Sequence, residues 1–434
     1  MPKGHSGPAG RDRNVAEKSA GRGTDGRVVI LGSLLAYGIA VALTLAVWNV
    51  DLWPHLGVNS APTLFYDARN VAAAADCWSM GYDPLVENPC DPAARVMNYP
   101  RVWVLFHFVG VTQDRTLLFG AIVVALFIGS LFLLVGRVSQ AEGVVLAVAV
   151  TSPAVMFAVE RANMDLVLFA LFVLAVFAWG ARERVTPMLS PALILAAAVA
   201  KLYAIFALPA YAFTGDRRAR WFVPAGISVM IVYLLLTLED FREVMSAPEG
   251  GLLYSYGARI LIGDLYHRFS PGDWLHGNLL AQAIAVVPVL LMSTGAWVWA
   301  RRRLASPTTS ERSSTRLLAF HLGAFTYLGT FVTRKTGDYR LVFLLLALPL
   351  LLEWGAGAGS STRTRVARAG LVAVIAALWV GALSPFIGPW DELASWATAL
   401  VLVLLLAATL PPLPRARVHH QPLGLMTGAG TKGR

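Results

Sequence analysis

The sequence predicts an all-α polytopic membrane protein with about 11 to 13 transmembrane helices. Of its 434 residues, 56% are hydrophobic and only 14% are charged. The mean hydropathy is +0.60. Apolar runs such as residues 28–50 are long enough to cross the hydrocarbon core of a bilayer. This composition excludes an ordinary soluble globular protein.

Apolar run length identifies the candidate spans. They cover residues 28–49, 116–136, 142–158, 163–181, 189–213, 221–238, 277–300, 316–333, 339–354, 366–386 and 395–411. Together they form a single transmembrane domain over residues 27–412, flanked by disordered basic tails at 1–26 and 413–434. The first apolar run has no small-residue cleavage site, so we expect it to be retained as a span.

The basic residues predict the orientation. They concentrate in the two tails and in short connectors, which the positive-inside rule places in the cytoplasm of a plasma (inner) membrane protein. Segment 189–213 has basic connectors at both ends, which a single pass would put on opposite faces. A break near Lys201, helped by Pro191 and Pro209, resolves this conflict and gives about twelve membrane elements.

The remaining polar segments then share the outer face. The largest are residues 50–115, predicted to be a catalytic loop, and residues 239–276, a second outer loop. Residues 100–112 are too few to span and are expected to form a short apolar or amphipathic helix at the membrane surface. Polar residues at 160–163 and 334–338 fall on the same face. All segments that could take part in chemistry are therefore predicted to lie on the same face of the membrane.

The only cysteines lie in the first outer loop, at Cys77 and Cys90. An even pair in an extracytoplasmic loop favours a disulfide, which would stabilise a loop of this size by about 3 kcal/mol. Two free thiols are the alternative. A metal site is not expected, because zinc needs more Cys or His ligands than the nearby His55 supplies.

The order of several short motifs resembles glycosyltransferase family 87. These motifs are Phe65-Tyr66-Asp67, Gly81-Tyr82-Asp83-Pro84, Asn98-Tyr99-Pro100, Glu160-Arg161-Ala162-Asn163-Met164-Asp165 and Ala200-Lys201-Leu202-Tyr203. The resemblance covers about residues 60–215, with a departure at Ala162-Asn163, where the family often has Gly-Gln. The resemblance implies the membrane-embedded GT-C architecture. The family includes polyprenyl-phosphate-mannose-dependent α-1,2-mannosyltransferases.

The resemblance implies that Asp67 is the catalytic base. Its carboxylate would accept the proton of an acceptor hydroxyl as the hydroxyl attacks the anomeric carbon, with inversion. The implied donor is polyprenyl-phosphate-mannose, and the implied acceptor is a cell-envelope glycolipid or lipoglycan. The alternative for Asp67 is a solvated carboxylate or an N-cap for residues 68–75. Asp83 precedes a proline, which favours a turn or cap role.

A phosphate-bearing donor needs cations where the leaving charge develops. The predicted donor-binding set consists of Glu160, Arg161, Asn163, Lys201, Arg334, Lys335, Asn98 and Tyr99. Each has a structural alternative. Arg334 and Lys335 can snorkel to headgroups, Lys201 can pair with Glu160 as its counter-ion, and Asn163 can cap the following helix. Asp165 in the first turn would meet the helix dipole favourably.

No cofactor is expected, since the sequence has no phosphate-cradling or dinucleotide-binding glycine motif and no His-Glu-x-x-His helix. Nucleic acid is not an expected partner, because the positive-inside rule already accounts for the positions of the basic residues. The aromatic residues of 254–259, with Trp274 and His276, suit either sugar stacking or the headgroup belt, and the belt is favoured. Two other functions stay open: a transferase for arabinose or another pentose or hexose, and a lipid-linked sugar transporter or flippase.

Overall fold

The computed structural model describes residues 25–48, 51–136, 138–182, 187–246, 254–269, 274–304, 314–333, 336–357 and 361–409. These residues are mainly helical and include one two-stranded sheet. Six of their helices are long and apolar enough to cross a membrane, and a bent helix pair makes a seventh span if counted as one. The predicted all-α polytopic membrane class is confirmed.

The candidate spans among the described residues are fewer than the 11 to 13 predicted. A helix overlaps each predicted segment, but residues 142–158 are divided between two helices, and residues 189–213 and 339–354 are partly 3₁₀ helix. The helices are α1 (Gly26–Trp48), α2 (Tyr66–Ser79), α3 (Thr116–Val135), α4 (Gln140–Val150), α5 (Pro153–Glu160), α6 (Asp165–Gly180), α7 (Leu189–Ala200), α8 (Phe222–Leu236), α9 (Leu238–Ser246), α10 (Ile260–Phe269), α11 (Trp274–Arg303), α12 (Thr315–Thr333), α13 (Leu348–Gly355), α14 (Thr362–Val380), α15 (Ser384–Ile387) and α16 (Glu392–Thr409). Segments of 3₁₀ helix occupy Pro54–Leu56, Arg101–Val109, Gln113–Arg115, Leu202–Phe213, Ala219–Trp221, Asp338–Leu346, Gly381–Leu383 and Gly388–Asp391. Strands β1 (Ser255–Tyr256) and β2 (Thr336–Gly337) pair antiparallel.

Helix α1 lies at the periphery, because most of its apolar side chains are exposed, as bilayer contact requires. It is held at its first residue. The Gly26 N–H donates to the carbonyl of Val138 over 3.1 Å. A Cβ on Gly143 would lie only 2.6 Å from Gly26 Cα, so this crossing requires glycine.

Helices α4 and α5 meet at a bend of 58°. A capping box between Ser139 and Glu142 starts α4. Pro153 starts α5, where its missing N–H removes no helical hydrogen bond. Helix α5 ends at Glu160, and α6 starts at Asp165.

The predicted break at Lys201 is present. Lys201 has extended backbone angles (φ −150°, ψ 115°) between α7 and the 3₁₀ segment Leu202–Phe213, which contains Pro209. The carbonyl of Ala200, left free by the break, accepts a hydrogen bond of 2.8 Å from the Trp103 indole N–H. The first loop therefore closes over the break.

The predicted surface helix at 100–112 corresponds to the 3₁₀ helix Arg101–Val109. Trp103 and Val104 are buried, whereas Phe108 and Val109 are 75% and 74% exposed. One side of this short helix thus packs on the bundle, and the other is apolar and open, as at a membrane surface.

The core lies between α3, α6, α12 and the segment Asp338–Leu346. Phe127 packs on Phe169 with ring centroids 5.2 Å apart, and Phe172 packs on Phe343 at 5.1 Å. Helix α6, which contributes to this core, begins at Asp165. The two-stranded sheet pairs residue 255 with residue 337. Of the predicted tails, only residues 25 and 26 fall within the described residues.

Candidate active site

Asp67 is the second residue of helix α2, which is docked on the end of α5. The backbone N–H groups of Asp67 and Ala68 donate to the carbonyl of Arg161 over 3.1 and 3.3 Å. The N–H of Phe65 donates to the carbonyl of Glu160 over 2.9 Å. Phe65 has left-handed backbone angles (φ 59°), a conformation that non-glycine residues adopt only where the surroundings impose it.

The carboxylate of Asp67 faces an amide and two guanidinium groups. Its Oδ2 accepts a hydrogen bond of 2.6 Å from Asn163 Nδ2. Its Oδ1 lies 3.6 Å from Arg161 Nη1 and 3.9 Å from Arg95 Nη1. The side chain is 13% exposed, so it is accessible to a reactant but largely shielded from bulk water. The structure brings the predicted site residues Asp67, Arg161 and Asn163 together.

The turn between α5 and α6 positions this group. Ala162 has left-handed backbone angles (φ 43°), which set Arg161 and Asn163 around Asp67. The Asp165 N–H donates to Asn163 Oδ1 over 2.9 Å, so the predicted cap role of Asn163 is present together with its contact to Asp67. Strain of this kind concentrates at functional sites.

The predicted counter-ion of Lys201, Glu160, is wrong. Lys201 Nζ forms a short ion pair with Asp165 Oδ1 and donates to Asn163 Oδ1 over 3.1 Å. Glu160 Oε1 instead accepts from the N–H of Ala61 over 3.0 Å. The turn between the two acids separates them, so that the carboxylate at the start of α6, rather than at the end of α5, reaches the broken helix.

Arg340, which is half-buried, is a further cation beside Asp165. Its Nε lies 3.5 Å from Asp165 Oδ2, and its guanidinium lies 4.3 Å from the Tyr203 ring centroid. The ring of Tyr339 lies beside the same group, 5.8 Å from both Arg340 Cζ and Lys201 Nζ. Arg340 belongs to the basic run that contains the predicted ligands Arg334 and Lys335, which themselves lie outside the described residues.

Arg95 is a member of the site that sequence reasoning missed. It pairs with buried Asp91 at 2.8 Å, and its guanidinium lies 3.4 Å from the Tyr66 ring centroid. Its Nη2 also donates to the carbonyl of Tyr66 over 2.8 Å. The available signal was the spacing of four residues between Asp91 and Arg95 in the acidic part of the loop. Its contact with Asp67 joins residues that are far apart in the sequence, and no local sequence pattern indicates it.

Asn98 and Tyr99 differ in environment. Tyr99 is buried and its ring lies 4.7 Å from Lys201 Nζ, a cation–π distance. Burial, with Asp67 nearby, raises the pKa of the Tyr99 phenol well above its usual value, so the phenol stays protonated. Asn98 is exposed. The structure thus places Tyr99, but not Asn98, against the central charges.

The loop around the site is cross-linked. Cys77 and Cys90 form a disulfide, with Cα atoms 5.6 Å apart. Arg101 bridges Asp83 and Asp240 with hydrogen bonds of 2.9 to 3.1 Å, joining the first loop to α9. Asp83 also caps its turn through Leu85 N–H at 3.1 Å. These links hold α2 and the following turns in place.

The expected headgroup-belt position is wrong for Tyr256. Its ring is buried and stacks on Tyr327 at 5.4 Å, and its hydroxyl lies 2.7 Å from Thr330 Oγ1. The β1–β2 pairing draws this segment into the bundle, where its aromatic ring packs against α12. The side chains of Trp274 and His276 lie outside the described part of the chain.

Across the described ranges, no group of three or more His, Cys, Asp or Glu residues is arranged to hold a metal ion. A cavity of about 520 Å³ lies between α3, α6 and α12, at the ends of these helices remote from Asp67. The site around Asp67 combines a carboxylate with cations and aromatic rings, a set suited to proton transfer and to binding an anion.

Comparisons with known proteins supply no relative. No protein-family model, no curated protein and no solved structure matches the chain. Functional assignment therefore rests on the residues and their geometry.

Proposed function

We propose that the protein is a membrane glycosyltransferase that transfers mannose from polyprenyl-phosphate-mannose to a hydroxyl of a cell-envelope glycolipid or lipoglycan. The observation that carries the proposal is the partly exposed Asp67 carboxylate, held at the head of α2 against Arg161 and Arg95. It lies in the segment that resembles glycosyltransferase family 87. A partly exposed carboxylate beside fixed cations suits acceptor activation next to a phosphate leaving group.

The proposed reaction is one displacement. The acceptor hydroxyl oxygen forms a bond to the anomeric carbon while the bond from that carbon to the phosphate oxygen breaks. The hydroxyl proton goes to Asp67, and the bonding electron pair leaves with polyprenyl phosphate. Asp67 Oδ2 is engaged by Asn163, so Oδ1 is the oxygen that receives the proton. General-base assistance of this kind contributes about 100- to 10,000-fold in rate.

Arginine side chains supply the charge for the leaving phosphate. The Nε groups of Arg161 and Arg340 are buried and have no hydrogen-bond partner among the described residues. Each guanidinium is held by a carboxylate and an aromatic ring, which fixes it before a ligand arrives. Fixed N–H donors in a shielded site stabilise phosphate charge more strongly than mobile ones in water.

The membrane setting supports a lipid-linked donor. The connectors on the predicted cytoplasmic face are too short for a nucleotide-sugar-binding domain. The positive-inside rule places the first loop outside and both termini inside, so we assign the site to the outer face of the plasma membrane. A polyprenyl donor reaches such a site from the bilayer.

A second candidate, a transporter or flippase of a lipid-linked sugar, is favoured by one observation. The extended break at Lys201, with a buried charge, is a feature that transporters also use near the bilayer midplane. The Asp67 cluster favours the enzyme, since a base is needed for transfer and not for translocation. Arabinose and other sugars remain alternative donors within the same reaction class.

The test uses proteoliposomes and three labelled donors, polyprenyl-phospho-[14C]mannose, -arabinose and -galactose, with envelope glycolipids as acceptors. Wild type is compared with Asp67→Ala and with Asp114→Ala, which removes an exposed carboxylate of the same loop. We expect labelled glycolipid from the mannose donor with wild type and Asp114→Ala, and none with Asp67→Ala. If the protein moves a donor across the membrane but forms no labelled glycolipid from any of the three donors, the transferase proposal is refuted and the transporter proposal is supported.

A further inference from the structure

The side chains of two polar residues beside Asp67 are already engaged by protein partners. Asn163 offers one acceptor and one donor group, and Lys201 offers three N–H donors and no acceptor. Within the described residues, their side-chain hydrogen bonds run to each other and to Asp67 and Asp165. Groups that are occupied in this way are poorly suited to binding a donor phosphate.

The orientation of the Asn163 amide follows from its neighbours. Its Oδ1 receives two donors, Lys201 Nζ at 3.1 Å and the Asp165 N–H at 2.9 Å. A flipped amide would place an NH₂ group against both of these donors, so the flip is excluded. The Nδ2 group must therefore face Asp67, where it lies 2.6 Å from Oδ2.

Lys201 is fixed in turn. Its ammonium donates to Asp165 and Asn163, and the Tyr99 ring lies 4.7 Å from its nitrogen. Its side chain is 8% exposed, and that of Asp165 is fully buried. Two of its three N–H groups therefore donate to protein oxygens, and an aromatic ring lies within cation–π distance of the same ammonium.

We infer that Asn163 and Lys201 are positioning residues, which hold the Asp67 carboxylate so that Oδ1 alone faces the acceptor hydroxyl. The chain of contacts runs from Asp165 through Lys201 and Asn163 to Asp67 Oδ2. This inference rests on the proposed function for the role of Asp67. It reassigns two residues that the sequence placed in the donor-binding set.

The inference predicts a specific kinetic signature for Asn163→Ala. A hydrogen bond to a charged group is worth enough to lower kcat by about 10- to 100-fold when it is lost. The donor KM should stay within about twofold, because a positioning residue acts on the reacting geometry rather than on ground-state binding. A donor ligand would instead raise KM with little change in kcat.

A second readout does not require turnover. Carbodiimide coupling of an amine to carboxylates, followed by mass spectrometry, measures how readily Asp67 reacts. With Asn163→Ala, one carboxylate oxygen is released and Asp67 should be labelled several-fold faster. Asp83, which is held by Arg101, is the internal reference and should be labelled at the wild-type rate. Arg95 and Arg161, which also face Asp67, are unchanged in the variant.

Gln113→Ala is the matched control, because it also removes an amide that bonds within the loop, to the carbonyl of Cys90, without touching Asp67. We expect it to leave kcat and Asp67 labelling unchanged. If Asn163→Ala does not accumulate, Asn163→Ser replaces it, since a hydroxyl still accepts the Asp165 N–H.

The outcomes separate the inference from the proposed function. A fall in kcat at constant KM with faster Asp67 labelling supports both. Faster labelling in a protein that transfers no sugar retains the positioning of Asp67 and overturns the proposed function. Unchanged labelling, or a raised donor KM at constant kcat, overturns the inference and returns Asn163 to the donor-binding set.

Discussion

The left-handed backbone of Ala162 gives a sharp prediction for Ala162→Gly. This residue is fully buried and lies between Arg161 and Asn163, with φ 43°. An L-residue with a Cβ pays about 1–2 kcal/mol for this conformation, and glycine does not. Two opposing effects accompany the change: loss of one buried methyl, about 0.8 kcal/mol, and a more flexible unfolded chain, about 0.5–1 kcal/mol.

These effects nearly cancel, so we expect the stability of Ala162→Gly to lie close to that of wild type. Ala158→Gly is the matched control. Ala158 is equally buried but lies within helix α5, so its replacement loses the methyl and gains flexibility without any relief. It should be less stable than wild type by about 1.3–1.8 kcal/mol. The difference between the two variants, about 1–2 kcal/mol, isolates the backbone strain.

Thermal unfolding of the purified proteins in detergent, followed by intrinsic fluorescence, measures this difference. Ala158→Gly should unfold at a lower temperature than Ala162→Gly, and Ala162→Gly should unfold within a few degrees of wild type. Equal destabilisation by the two substitutions would refute a strained Ala162 and, with it, the view that the turn between α5 and α6 is held in place by its contacts.

Three further predictions concern the structure around the site. Cys90→Ser should lower the free energy of unfolding by about 3 kcal/mol, and reductant should lower the melting temperature of wild type but not of this variant. Arg101→Met should speed proteolysis of the first loop while changing global stability by less than about 1 kcal/mol, because its partners are partly exposed. Burial acts to raise the pKa of Asp83, but hydrogen bonding and charge from Arg101 lower it overall. The ion pair between Asp83 and Arg101 is therefore fully present at pH values above the ordinary pKa of an aspartate, and it weakens as the pH falls through the lowered pKa. Acid should speed cleavage of the wild-type loop more than cleavage of the Arg101→Met loop. Asp165→Asn should cost about 3–5 kcal/mol by leaving buried cations short of a carboxylate, and adding Lys201→Met should restore part of the folded yield, as seen by size-exclusion chromatography.

The membrane fold could be predicted because hydrophobic length is a local property. The start and end of α3 and α12 follow directly from apolar runs. The break at Lys201 followed from the distribution of basic residues, since only an interrupted segment lets both flanks face the cytoplasm. Asp67, Arg161 and Asn163 could be grouped because the predicted topology puts their segments on one face.

Contacts that depend on packing could not be predicted. Arg95 reaches Asp67 through the folding of the loop, and composition does not encode that approach. Asp165 and Glu160 are both acids near one turn, and only the backbone of Ala162 decides which of them meets Lys201. Tyrosine is a residue type typical of the headgroup belt, yet strand pairing places Tyr256 in the core. In each case a residue type is compatible with two environments, and long-range geometry selects one.

The most direct test of Asp67 as the base is the initial rate of mannose transfer by Asp67→Asn, measured at saturating donor and matched folded protein. Asparagine keeps the shape of the side chain and cannot accept the hydroxyl proton. We predict a fall of at least about 100-fold in kcat with the donor still bound, in line with the contribution of general-base catalysis. Transfer by Asp67→Asn at the wild-type rate would contradict the central claim.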